Sequence, residues 1–162
     1  MISLERMNEE QFISYCDYFV ADYAIEIEEN YRKTIDQATI IASQELKDDL
    51  PEGVHTKNNI ILCIEIEEEM DRKLIGYLWY KKNIDDSNIF IFDFYIFPQY
   101  RSMGYGKECI AILENNMRKE GVGQVKLRVA YSNVRALALY KELGFEITGI
   151  NMSKNIRENE ES

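Results

Sequence analysis

A chain of 162 residues, 46% hydrophobic and 12% aromatic, has the length of one domain and enough apolar content to bury a core, so an intrinsically disordered protein is excluded. Its net charge of −10 lacks the basic footprint that phosphate backbones require, so no nucleic-acid partner is expected. No run approaches the roughly 20 apolar residues that span a bilayer, and the opening MISLERMNEEQF has neither a basic nor an apolar leader segment, so a cytoplasmic protein without a membrane partner is expected.

The charge is uneven. Residues 1–70 hold 17 Asp and Glu against 5 Lys and Arg, whereas residues 71–162 hold 12 against 14. An acidic first half suits a cationic substrate and a slightly basic second half suits an anionic cofactor, although solubility alone also accounts for such a balance. Cys16, Cys63 and Cys109 are odd in number, far apart and set in apolar runs, and His55 is the single histidine. No metal site or redox pair is expected from them, only buried free thiols.

Along the chain, Phe12, Tyr15, Cys16, Phe19, Val20 and Tyr23 recur at helical spacing and predict an amphipathic helix from Glu9 to about Asn30. A second helix is predicted over Thr34–Asp49, with Ile40, Ile41 and Leu46 inward, stopped by Leu50-Pro51-Glu52-Gly53. The period then changes to two. Ile60, Leu62, Ile64 and Ile66 mark a strand over Asn59–Glu67, and Leu74–Tyr80 follows as another, with Trp79 and Tyr80 expected in the core. After the turn Asp85-Asp86-Ser87-Asn88, Ile89–Phe97 is apolar except for Asp93, as expected of a strand covered on both faces. A helix from about Gly104 to Glu120 carries Ile110, Leu113 and Met117 on one face, and Val125, Leu127, Val129 and Tyr131 alternate as a strand. Strand, helix and strand make a βαβ unit, which predicts a parallel pair. A last helix over Asn133–Leu143 ends at Gly144, Phe145–Lys154 reads as a closing strand or hairpin, and the polar tail 157–162 is expected to fray.

The segment Arg101-Ser102-Met103-Gly104-Tyr105-Gly106 joins a buried strand to a helix start. Backbone N–H groups and the positive end of the helix dipole favour an anion there, and Arg101 and Lys107 add charge. The spacing matches neither the dinucleotide glycine pattern nor a P-loop, and no carboxylate pair is placed for magnesium, which excludes the usual phosphotransferase designs.

Two motifs carry a resemblance. Ile96-Phe97-Pro98-Gln99-Tyr100-Arg101-Ser102-Met103-Gly104-Tyr105-Gly106 closely resembles the acetyl-CoA signature of the GNAT superfamily of N-acetyltransferases, Q/R-x-x-G-x-G/A after a strand. Downstream, Asn133-x-x-Ala136-x-x-Leu139-Tyr140-x-x-x-Gly144-Phe145 is similar to the second signature of that family. The resemblance covers about residues 74–154, and it departs from the family at Ser102, where many members have Gly.

The resemblance implies an α/β fold, with a mixed, mostly antiparallel central sheet, one splayed parallel strand pair and helices on both faces. It implies one domain over residues 1–156, with substrate-side helices and a loop in 1–58 and the sheet and acetyl-CoA core in 59–156. The expected reaction is direct transfer of acetyl from acetyl-CoA to a primary amine. By the same resemblance the amides of Arg101, Ser102, Met103, Gly104, Tyr105 and Gly106 hold the pyrophosphate. Tyr95, Ile96 and Phe97 meet the pantetheine arm through their main chain, and one strand amide bonds the thioester oxygen. Asn133 touches the pantetheine and Tyr140 serves the departing thiolate, although Asn133 is also a natural helix cap and Tyr140 an ordinary packing aromatic. For the base that frees the amine, Asp93 is the leading candidate because a carboxylate in an apolar strand needs partners or a raised pKa. Glu65, Glu67 and water remain open. The acidic first half suits a polyamine, an aminoglycoside or a lysine-bearing peptide as acceptor, with no order among them, and is compatible with a homodimer. A non-catalytic acyl-CoA sensor and a protein-interaction domain are the competing readings.

Overall fold

The computed structural model describes residues 1–157. The chain forms two compact units, Met1–Arg128 and Val129–Ser162.

The first unit begins with a short strand, β1 (Ile2–Arg6), followed by α1 (Glu9–Tyr31) and α2 (Ile35–Asp49). Both helices start at capping boxes written in the sequence. Asn8 Oδ1 accepts the Gln11 N–H at 2.8 Å while Gln11 Oε1 accepts the Asn8 N–H at 3.0 Å, and Thr34 and Gln37 repeat the exchange at 3.2 and 3.1 Å. Strands β2 (Asn59–Glu68), β3 (Asp71–Asn83) and β4 (Asn88–Ile96) form an antiparallel meander. A 3₁₀ turn over Pro98–Tyr100, helix α3 (Tyr105–Lys119) and strand β5 (Gln124–Leu127) complete the unit. The sheet order is β1-β2-β3-β4-β5, antiparallel except for the β4–β5 pair. The mixed sheet with one parallel pair is the predicted architecture.

Alternation divides the core between two faces. Ile61, Cys63, Tyr77 and Trp79 turn toward the helical pair, where they meet Tyr15, Leu46 and Leu50. Ile60, Leu62, Ile64 and Leu78 are buried on the opposite side, and α3 buries Cys109, Ile110, Leu113 and Met117. Each such aliphatic side chain contributes about 1.5–3 kcal/mol on burial. Trp79 is fully buried, and its indole Nε1–H donates to Asn59 Oδ1 at 2.9 Å, which satisfies both groups.

Four expectations change. Ile40 points outward, at 70% exposure, because α1 and α2 meet through Ala24, Ile27, Ala38 and Ala42, and the three alanines let the helices come close. Cys16 is half-exposed, unlike Cys63 and Cys109. Only the first part of β4 is covered on both faces, and Phe92 remains 37% exposed. β5 stops at Leu127 instead of Tyr131.

The second unit contains α4 (Val134–Glu142). The predicted closing strand at 145–154 does not form. An alternating segment becomes a strand only through a ladder, and none is made by residues 145–157, where Ile147, Ile150 and Met152 are exposed. The predicted frayed tail, apart from Arg157, lies outside the described residues.

Candidate active site

The parallel ladder between β4 and β5 runs from Asn88↔Gln124 only to Ile91↔Leu127. Beyond it, among the described residues, Asp93–Ile96 keep strand partners on the β3 side alone. A bulge lies at the same place: Tyr80 pairs with Ile91 and Trp79 with Asp93, so Phe92 is an extra residue. Its ring stacks on Trp79 at 4.6 Å, and Asp93 is thereby set on the α1 face of the sheet. The end of β4 is tied down closely. Gly76 pairs with Ile96, the Phe97 N–H donates to Ile75 O at 2.8 Å, and a Cβ on Gly76 would stand 2.0 Å from Tyr95 O.

The turn after β4 enters α3 through two left-handed residues, Ser102 at φ 64° and Gly104 at φ 85°. Gly104 is the cap residue and no side chain caps the helix. The first helical bond runs from the Glu108 N–H to Gly104 O, so the Tyr105, Gly106 and Lys107 amides lie ahead of it, at the positive end of the helix dipole. Met103 and Lys107 are exposed beside them. The Arg101 amide is different, for it donates to Pro98 O at 3.2 Å. Its guanidinium turns back to the strand: Nε donates to Ile96 O at 2.8 Å and the head lies 5.0 Å from the Tyr95 ring centroid. Arg101 therefore braces the end of β4. The φ of Ser102 also explains the glycine common at this position, since a β-carbon is strained in that region. Ser102→Gly is expected to raise stability by up to about 1 kcal/mol, read as a shift in denaturation midpoint without a change in slope.

Asp93 is the best-defended carboxylate of the unit. Tyr15 and Tyr18, one helical turn apart on α1, donate their hydroxyls to Oδ2 at 2.9 Å and Oδ1 at 3.1 Å. Burial pushes the carboxyl up to about 7, the two phenolic hydrogen bonds oppose that rise, and the charges of Asp22 and Glu26 add to it. Tyr15 is wholly buried, whereas Tyr18 is half-exposed. The Tyr18 ring lies 5.2 Å from Tyr77 and 4.5 Å from Tyr95, and Tyr95 lies 6.0 Å from Phe97. Farther along α1, Asp22 and Glu26 are both raised by desolvation, with Arg101 pulling Asp22 back down and Arg128 doing the same for Glu26 at 3.6 Å.

The structure thus gathers Asp93, Tyr95, Ile96, Phe97 and the turn 101–107 at one end of β4. Glu65 and Glu67 stay on β2, two strands away. His55 is exposed and pairs with Glu9 at 2.9 Å. In the second unit, Asn133 Oδ1 accepts the Ala136 N–H at 3.2 Å and so caps α4, while its own N–H donates to Ala130 O at 2.9 Å and its carbonyl accepts the Leu137 N–H at 3.0 Å. Tyr140, half-buried on α4, packs edge-on against Phe145 at 5.5 Å. Sequence reasoning missed Tyr15, Tyr18, Tyr77 and Gly76. The i, i+3 tyrosine pair was visible, but its partner is 75 and 78 residues away.

Comparison with known proteins gives a consistent result. The model of the acetyltransferase (GNAT) family matches residues 14–145. The uncharacterized N-acetyltransferase YycN of Bacillus subtilis (strain 168) is 30% identical over 157 residues, which is 96% of this chain and 99% of YycN. The crystal structure of YycN superposes with a TM-score of 0.89 over 98% of this chain and all of that one. The PaiA N-acetyltransferase of Thermoplasma acidophilum, solved in complex with coenzyme A, is 17% identical and shares the fold, with a TM-score of 0.68 over 93% of each chain.

Proposed function

We propose a reaction from one premise: the chain belongs to the GNAT family of acetyltransferases. It is an N-acetyltransferase that moves acetyl from acetyl-CoA directly to a primary amine, acting as one catalytic domain in the cytosol. The observation that carries this reading is the parting of β4 from β5 after Ile91, followed at once by the Arg101–Gly106 turn. Main chain without a ladder partner on one side suits an amide-bearing pantetheine arm, and the amides ahead of α3 suit a pyrophosphate.

Bound acetyl-CoA supplies the activated acyl group. Around it, the amides of Tyr105, Gly106 and Lys107 hold the anion, while Tyr95, Ile96 and Phe97 present the strand edge to the arm. An amide of that edge stabilises negative charge as it grows on the acyl oxygen. Asp93 takes the proton that the amine must lose, and a carboxyl near 7 is well matched to that task at neutral pH. Tyr140 hydrogen-bonds the departing thiolate. The acidic groups Asp22, Glu26 and Asp93 favour a cationic acceptor.

The test is release of free thiol from acetyl-CoA in the presence of butylamine, a linear diamine or a lysine peptide, with the product identified by mass spectrometry. N-acetylated product is expected, and Tyr140→Phe is expected to lower kcat by about 100-fold with acetyl-CoA affinity unchanged. Binding of acetyl-CoA without transfer to any of these amines would count against an amine-directed enzyme.

A further inference from the structure

Both carboxylate oxygens of the half-exposed Asp93 are already engaged by phenols. Its Oδ2 faces Tyr15, which is wholly buried in the core between α1 and the sheet, and its Oδ1 is covered by the Tyr18 hydroxyl. Of the two phenols, only Tyr18 is half-exposed, and its ring lies 4.5 Å from that of Tyr95, a residue of the strand edge to which acetyl-CoA is assigned above. We propose that Tyr18 is the group that touches the acceptor amine, and that Asp93 draws the proton through the Tyr18 oxygen. The inference rests on the acetyltransferase reading and adds to it the residue through which the base acts.

The step balances without a charged tyrosine. An N–H bond of the ammonium, or of the amine as it attacks, breaks and its proton passes to the Tyr18 oxygen. The proton already on that oxygen passes to Asp93 Oδ1 along the 3.1 Å hydrogen bond. The nitrogen keeps its electron pair, Tyr18 remains a neutral phenol and Asp93 becomes a neutral acid. After product leaves, the same path run backward returns the proton to water. Phenolate at Tyr18 is strongly disfavoured, because burial and the Asp93 charge both push its pKa far up. That penalty favours concerted transfer over stepwise deprotonation of the tyrosine.

Tyr15 has a different duty. It donates to the far oxygen and cannot reach solvent, so it fixes the carboxylate in place and restrains its pKa. The titratable groups facing Asp93 are Tyr15, Tyr18, Asp22 and Glu26 from α1 and Tyr77 from β3. Any pH dependence belongs to this set as a whole.

The experiment compares wild type, Tyr18→Phe and Tyr15→Phe. Each is checked for folding by thermal melting and for acetyl-CoA binding by calorimetry, then assayed for transfer to butylamine and lysine methyl ester between pH 5 and 9. Wild type is expected to show a rise in kcat/KM with an apparent pKa near 7. Tyr18→Phe should lose about 100-fold in kcat/KM and lose that rise, while binding acetyl-CoA as wild type does. Tyr15→Phe should keep the rise, displaced to higher pH because Asp93 has lost a donor, at less than about a tenfold cost. A Tyr18→Phe enzyme with wild-type rate and pH profile overturns the relay. So does loss of the rise in Tyr15→Phe with its retention in Tyr18→Phe, and so does a wild type that binds acetyl-CoA but acetylates neither amine. Failure of wild type to bind acetyl-CoA instead overturns the acetyltransferase reading beneath it.

Discussion

Gly76→Ala is expected to destabilise the protein by on the order of 3 kcal/mol and to weaken acetyl-CoA binding tenfold or more, although Gly76 lies outside both motifs. The added methyl would stand 2.0 Å from Tyr95 O, 3.0 Å from Tyr95 C and 3.1 Å from Ile96 Cα. These are main-chain atoms, so no side chain can rotate away and β3 and β4 must separate. The displacement falls on Tyr95 and Ile96, at the strand edge proposed for the pantetheine arm, and on the Phe97 N–H bond to Ile75 O. Gly123→Ala is the control, with nothing within 4 Å of the new carbon and a backbone that any residue adopts. Denaturant melts and acetyl-CoA titration of the two variants check the prediction. Equal stability would mean that the strands slide apart at little cost.

Asp93→Asn carries the second large effect, and its sign depends on pH. The Asp93 carboxyl sits at about 7 in the fold, against 3.8 as an ordinary group. The folded protein therefore holds a proton that the unfolded chain has released, and stability falls as pH rises through that window. The contribution is fully present below about pH 4 and fully lost above about pH 7. Three pH units correspond to about 4 kcal/mol as an upper bound, since solvent reaching the half-exposed residue softens the penalty. Asn keeps an acceptor for one phenol and never ionises. Asp93→Asn should match wild type near pH 4 and exceed it by about 2–4 kcal/mol at pH 8, while losing the neutral-pH rise in activity. Chemical denaturation at the two pH values checks this, and a constant difference would show that Asp93 does not titrate in that window. A carboxylate that weakens the fold at working pH fits a group kept for chemistry.

Local signals made much of this legible. Capping residues, helical spacing and alternation are written within a few residues of where they act, so α1, α2, α3 and the meander followed directly. β1 did not, because its five residues Ile2–Arg6 become a strand only through pairing with residues 62–66. The end of β5 and the failed strand at 145–154 have the same cause: alternation shows which residues would share a face, not whether a partner exists. The bulge at Phe92 was equally hidden, since an extra residue has no mark of its own in the sequence. At the site, the motif placed the turn and the strand edge. The turning back of Arg101 onto Ile96 O, and the clasp of Asp93 by Tyr15 and Tyr18, are tertiary facts that no motif encodes.

In the proposed reaction, the end of β4 and the following turn hold acetyl-CoA. Calorimetric titration of wild type and Gly104→Glu with acetyl-CoA tests it most directly, because Glu would place a carboxylate and a strained left-handed residue at the head of α3. Saturable binding to wild type that disappears in a folded Gly104→Glu variant is the predicted result. Absence of binding to wild type, or equal binding to both, would contradict it.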